Sequence, residues 1–347
     1  LSAPQAYGDA FRGAGGPGIS RALVDSVRLN GKLFLDEMDQ SPSWEWRNDV
    51  DTAFRLADLA LDAAVIRRNV LESYARGAGL WFYDFGPANA AGWWNDSRLM
   101  AEIGRLKKIL DQYHRSPYAP AADVLFVFDT EVFYYTGSVQ GTDPVTDPLA
   151  VNKTILAAWG AGVAIETIHL GDLARVDLSR FRAVVFANTW LLTAAQRRFI
   201  RERVMDQKRH VVFQGAPGYT EGETLSIEHV REATGIAELN RIAEPGTWAP
   251  RFAVGNAGAA VVRRGTTWFA TDPITTASEW RRIFVEAGAH VFLGTGDIIH
   301  AGGGLVLLHT KAGGRMNLML REGRVLELDL PAKTSALFDA KTGERLL

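Results

Sequence analysis

A chain of 347 residues exceeds one ordinary domain and sets an expectation of two or three. Its 47% hydrophobic and 22% charged residues are those of a folded globular protein, and a formal charge of −2 argues against nucleic acid or an anionic membrane as partner. Cysteine is absent, which excludes disulfides, thiolate metal sites and a Cys nucleophile, and no apolar run reaches the roughly 18 residues of a membrane helix.

In chain order, residues 1–20 are rich in Gly, Ala and Pro and read as loop. Ile19, Leu23, Val27 and Leu29 mark one face of a helix near 20–29 that Gly31 stops. Lys32-Leu33-Phe34-Leu35-Asp36-Glu37 then reads as a short buried strand ending in acid. Residues 51–77 carry Ala53, Leu56, Leu59, Ala63, Ile66, Val70 and Leu71 near a 3.6 period, which predicts a long helix ended by Gly77 and Gly79. Leu80-Trp81-Phe82-Tyr83-Asp84-Phe85 is a second buried strand, and a helix over 97–113 follows. Helices alternating with strands that end in polar groups are the parallel α/β pattern, in which sites sit at strand C-termini. A closed barrel takes about 250 residues, so the segment before Ser116-Pro117-Tyr118-Ala119-Pro120 cannot close one.

A second alternation begins after Pro120: strand 122–128, a long loop over 129–147, helix 148–160, and strands 163–168 and 182–187. Thr193-Ala-Ala-Gln196 is a capping-box signature opening a helix over 194–206. Strand 210–214, strand 267–271 and helix 276–287 complete a doubly wound, flavodoxin-like sheet. Short strands at 304–310, 315–320, 324–330 and 335–339, separated by Gly turns, predict a small antiparallel β-domain. The expected domains are therefore 1–116, 121–292 and 293–347.

Chemistry concentrates at Asp36-Glu37-Met38-Asp39, because a strand-end carboxylate flanked by others can act as nucleophile or acid/base on a glycoside. Trp81, Tyr83, Asp84, Trp93 and Trp94 are candidates for a sugar subsite: indole rings stack on pyranose faces and carboxylates accept from hydroxyls. Tyr7 and Arg12, in the loop ahead of the acidic strand, lie within reach of the same pocket. No cofactor is expected, since the first strand after Pro120 runs into Asp129-Thr130-Glu131 without a Gly-rich turn. His290, His300 and His309 match no metal spacing, and no metal is expected.

The run Gly31-Lys-Leu-Phe-Leu-Asp-Glu37-Met-Asp39-Gln-Ser-Pro42 resembles the nucleophile strand of glycoside hydrolase family 42 β-galactosidases. Residues 67–85 look like the final barrel helix and strand of that family, and Gly92-Trp93-Trp94-Asn95-Asp96 falls where its loop precedes the closing helix. Residues 181–215 are similar to its glutamine-amidotransferase-like trimerisation domain, and 304–347 to its terminal β-domain. The resemblance implies a partial TIM barrel comprising the last β/α units, with Glu37 as nucleophile and Asp36, Asp39 and the aromatic cluster binding a glycoside. It also implies an acid/base Glu outside this chain, and a homo-oligomer, a trimer. The competing expectation is a non-catalytic carbohydrate-binding or oligomerisation protein with a degenerate barrel.

Overall fold

The computed structural model describes residues 1–40, 42, 58–84, 92–114, 117–136, 148–242, 251–255 and 261–347. The chain forms two compact units, one of residues 1–122, 159–164 and 291–347, the other of 123–158 and 165–290. The β-strands expected as a domain over 293–347 thus share a unit with the N-terminal segment.

The first unit opens with β1 (Ser2–Pro4), the short helices α1 (Asp9–Arg12) and α2 (Val24–Leu29), and β2 (Leu35–Met38). Helix α3 (Leu59–Ala75), β3 (Gly79–Phe82) and α4 (Ser97–Tyr113) follow. The three strands make a parallel sheet in the order β1-β2-β3, with Pro4 opposite Glu37 and Glu37 opposite Trp81. These are three successive β/α units where two were expected, since β1 lies in the segment read as loop. No closed barrel occurs among the described residues, and the sheet has two edges. Positions 51–57 of the expected long helix, and Phe85 of the expected strand, lie outside the described residues.

Helix α3 is capped by the Asp58 carboxylate, which accepts from the Ala60 and Leu61 amides, and it ends short of Gly77, whose φ is +72°. Its amphipathicity is weak because it is buried nearly all round. Val65, Ile66 and Leu71 join Met38, Trp93, Trp94, Leu99 and Leu106 in an apolar core, while Arg68, Asn69, Glu72 and Ser73 are buried polar residues of the same helix.

The second unit contains β4 (Val124–Phe128), α5 (Val132–Thr136), α6 (Pro148–Trp159, whose last residue belongs to the first unit), β5 (Ile165–His169) and β6 (Ala183–Phe186). It continues with α7 (Ala194–Phe199), β7 (His210–Gln214), α8 (Ile227–Thr234), β8 (Leu239–Ile242) and β9 (Arg251–Val254). β10 (Val261–Arg264), β11 (Thr267–Ala270) and α9 (Ala277–Glu286) end it. Its six-stranded sheet runs β10-β11-β7-β6-β4-β5, parallel except for β10. Counted along the chain, the five parallel strands lie in the 2-1-3-4-5 order of a doubly wound sheet. The Thr193–Gln196 capping box forms as the sequence predicts. Much of the 129–147 loop, with Gly137, Gly141, Asp143 and Pro144, lies outside the described residues.

The chain then returns to the first unit with β12 (Ile298–Gly302), β13 (Leu305–His309), β14 (Gly314–Met319), β15 (Val325–Leu330) and β16 (Ser335–Asp339). β12-β13-β16 form an antiparallel sheet against α3, and β14-β15 a hairpin. The backbone approach is close: a Cβ on Gly302 would stand 2.0 Å from the Ala75 carbonyl oxygen.

Candidate active site

Successive residues of a strand point to opposite faces, and β2 divides its acids accordingly. Asp36 and Met38 face α3. Asp36 is fully buried, accepts a 2.7 Å hydrogen bond from the Ser73 hydroxyl, and has its carboxyl pushed up by burial. Met38 enters the apolar core. Glu37 and Asp39 take the other face, so the three acids do not converge.

On that face Asp39 is held by two donors. The Arg12 guanidinium reaches its Oδ1 at 2.6 Å, and the Tyr7 hydroxyl donates to its Oδ2 at 2.5 Å. The side chains of Arg12 and Asp39 are 5% and 14% exposed, so water screens this charge-assisted contact only in part. The Tyr7 ring lies between two guanidiniums, Arg12 at 4.2 Å and Arg21 at 4.0 Å from its centroid. Burial, and then the bond to Asp39, raise the Tyr7 phenol, which keeps its proton for donation. Glu37 lies two residues deeper. Partial burial, and then the Asp39 charge, raise its carboxyl, with Arg21 opposing, and no hydrogen bond orients it among the described residues.

Strand β3 carries Trp81 opposite Glu37 in the register. Its indole is 39% exposed and donates to the Ser2 hydroxyl at 3.0 Å, so the ring is tied across the sheet on the Glu37 face. Tyr83 meets Trp81 edge-on at 5.9 Å and Trp93 at 6.1 Å. The remaining candidates fall elsewhere. Trp93 and Trp94 are each 7% exposed and belong to the apolar core; Trp94 abuts Phe82 edge-on at 4.9 Å and donates to the Tyr83 carbonyl at 2.8 Å. Asp84 accepts from the Trp93 amide at 2.6 Å, and position 92 needs glycine: φ there is +85°, and a Cβ would stand 2.3 Å from the carboxylate. Residues 85–91, between them, lie outside the described residues.

The structure therefore groups Glu37, Asp39, Trp81, Tyr7 and Arg12, and adds Arg21. It sets apart Asp36, Trp93, Trp94 and Asp84, whose side chains serve the fold. Among the described residues no three His, Asp or Glu side chains are placed to hold a metal ion. The grouped residues can present an oriented carboxylate beside an aromatic surface at the C-terminal end of a parallel sheet.

No family model matches the sequence, and no curated protein matches it. Solved structures do. A β-galactosidase from the psychrophilic Marinomonas ef1 superposes over 96% of this chain with a TM-score of 0.59 at 10% identity. A polyextremophilic β-galactosidase from the Antarctic haloarchaeon Halorubrum lacusprofundi does so over 92%, with a TM-score of 0.61 at 14% identity. The chain spans 57% and 55% of the lengths of those two chains. At such identities the likeness is one of fold: this chain has a β-galactosidase-like mixed α/β fold.

Proposed function

We propose that the protein is a retaining glycoside hydrolase of β-galactosidase type, and that this chain carries the nucleophile half of its active centre. The observation that carries the reading is the strand-end carboxylate Asp39, oriented by Tyr7 and Arg12 in a fold shared with β-galactosidases. An attacking carboxylate must be aimed. Asp39 is held by Tyr7 and Arg12, whereas Glu37 lies deeper in the strand, has its carboxyl raised and has no donor among the described residues, which favours Asp39 for the attack.

In this reading a glycoside stacks against Trp81, and Asp39 attacks the anomeric carbon as the aglycone oxygen departs. A carboxylic acid about 5–5.5 Å away protonates that oxygen and later deprotonates the water that releases the sugar. We place this acid outside residues 1–347, on a part of the barrel that completes the β1-β2-β3 sheet. The protein would assemble as a homotrimer through the 121–292 region, in keeping with the family it resembles. Kinetics on aryl β-galactosides with the complete gene product test the reading. Asp39→Asn should abolish turnover while galactose still binds; full activity in that variant would refute it.

One observation favours the non-catalytic alternative. Both Asp39 oxygens are engaged and its ion pair with Arg12 is shielded, as in a purely structural salt bridge. Galactoside binding without turnover in the wild-type protein would select it.

A further inference from the structure

The segment Arg12–Gly18 leads out of the end of α1 and carries Arg12 to Asp39. Its backbone is held from two directions. From α3, the fully buried Arg68 donates to three strap carbonyls: Arg12 at 2.8 Å, Gly13 at 2.6 Å and Gly16 at 3.0 Å. Its Nε donates to the Asn69 amide oxygen at 2.9 Å. The guanidinium passes so close to Gly18 that a Cβ there would stand 2.3 Å from Nε, at a φ of +63°. From the terminal sheet, His300 donates from Nε2 to the Pro17 carbonyl at 2.7 Å, and His309 accepts the Gly15 amide proton on Nε2 at 2.8 Å.

The bonds around His309 fix its tautomer. Ser335 donates its hydroxyl proton to the Ala64 carbonyl at 2.6 Å, so toward His309 Nδ1, 2.8 Å away, its oxygen can only accept. Nδ1 therefore carries the proton and Nε2 is bare, as the Gly15 amide requires. Burial pushes His309 far below the ordinary imidazole value and His300 to about 3, so both rings are neutral donors or acceptors at working pH.

We infer that His309, seconded by His300 and Arg68, is a positioning residue for the acid site. By fixing the Arg12–Gly18 strap, the terminal sheet sets where the Arg12 guanidinium meets Asp39. The catalytic consequence rests on the reading of Asp39 given above; the mechanical one does not. His309→Leu removes the acceptor and keeps the volume. His309→Gln restores an acceptor oxygen near the former Nε2. Ser335→Ala removes the group that selects the tautomer and is the variant of record should His309→Leu fail to fold.

Amide exchange and the Arg12 Nε–H resonance, both read by NMR on the complete gene product, test the strap without any turnover. His309→Leu and Ser335→Ala should speed exchange of the Gly15–Gly18 amides by about tenfold and shift or broaden the Arg12 signal, with β4–β7 protection unchanged, and His309→Gln should reverse both effects. On an aryl β-galactoside, kcat should fall with KM nearly constant in the same variants. Unchanged strap exchange and an unchanged Arg12 signal in Ser335→Ala would overturn the inference. Strap loosening with unaltered kcat would instead overturn its link to catalysis. An inactive wild type whose strap loosens in the variants would refute the hydrolase reading and leave the positioning standing.

Discussion

Asp39 differs from its neighbours in accepting from a guanidinium and a phenol at once. Its two oxygens take separate donors, and the Tyr7 phenol that supplies one of them is itself steadied between two guanidiniums. Asp39→Asn is expected to lower kcat/KM on an aryl β-galactoside by at least about 10³-fold, and Glu37→Gln by about tenfold. Equal losses in the two would show that the face, and not Asp39, carries the chemistry. The three neighbouring acids were legible in the sequence, but which of them serves the site depends on strand parity. The sequence places Asp36, Glu37 and Asp39 within four residues, and only the docking of α3 decides that the odd-numbered pair looks away from the core. Trp93 and Trp94 illustrate the reverse case. Flanked by glycine they read as a sugar platform, yet Phe82 and Met38 leave a space that the indoles fill. A second residue-scale prediction concerns Glu72, whose complete burial raises its carboxyl from near 4.5 to about 8. Between those values the folded chain holds a proton that the unfolded chain releases, so stability falls as pH rises. His300 and His309, neutral in the fold, titrate near 6.5 only in the unfolded chain and add an opposite slope that Glu72→Gln shares. Urea unfolding should show the wild type losing about 2 kcal/mol more than Glu72→Gln between pH 6.5 and 8.

At the scale of elements, the long helices and hydrophobic strands were readable, because periodicity and caps act locally. Helix α4 occupies 97–113 as the pattern predicts, and the capping box opens α7. The expected helix over 194–206 is realised as α7 followed by a π-helical turn over Ile200–Val204. Thr193→Ala should cost about 1 kcal/mol in chemical denaturation. Strand β1 escaped detection because three residues including a proline carry no periodic signal. It exists through its register with β2, at the sheet edge where a proline is tolerated. The β8–β9 pair, β10 and β12 were likewise silent, although each pairs with its neighbour in the chain, because runs of four or five residues carry little periodic signal. Close backbone contact supplies the sharpest element-scale prediction. Gly302→Ala drives a methyl into the Ala75 carbonyl, where backbone cannot yield as a side chain would, and should destabilise by about 3 kcal/mol in a melting experiment.

For the whole molecule, the order of elements was more informative than any single motif. Parallel β/α units followed by a doubly wound sheet and short terminal strands describe a chain that superposes on two β-galactosidases at 10% and 14% identity, where no sequence family model matches. What order could not convey is that the terminal strands belong with the first 122 residues. That grouping depends on α3 being buried by sheets from both ends of the chain, a property of the packed core. The most direct test of the central claim is covalent trapping. A 2-deoxy-2-fluoro-galactoside with a good leaving group slows both chemical steps and accumulates the glycosyl-enzyme, which peptide mass spectrometry locates. One sugar is expected on Asp39; a sugar on any other residue, Glu37 included, or turnover with no adduct, would contradict this.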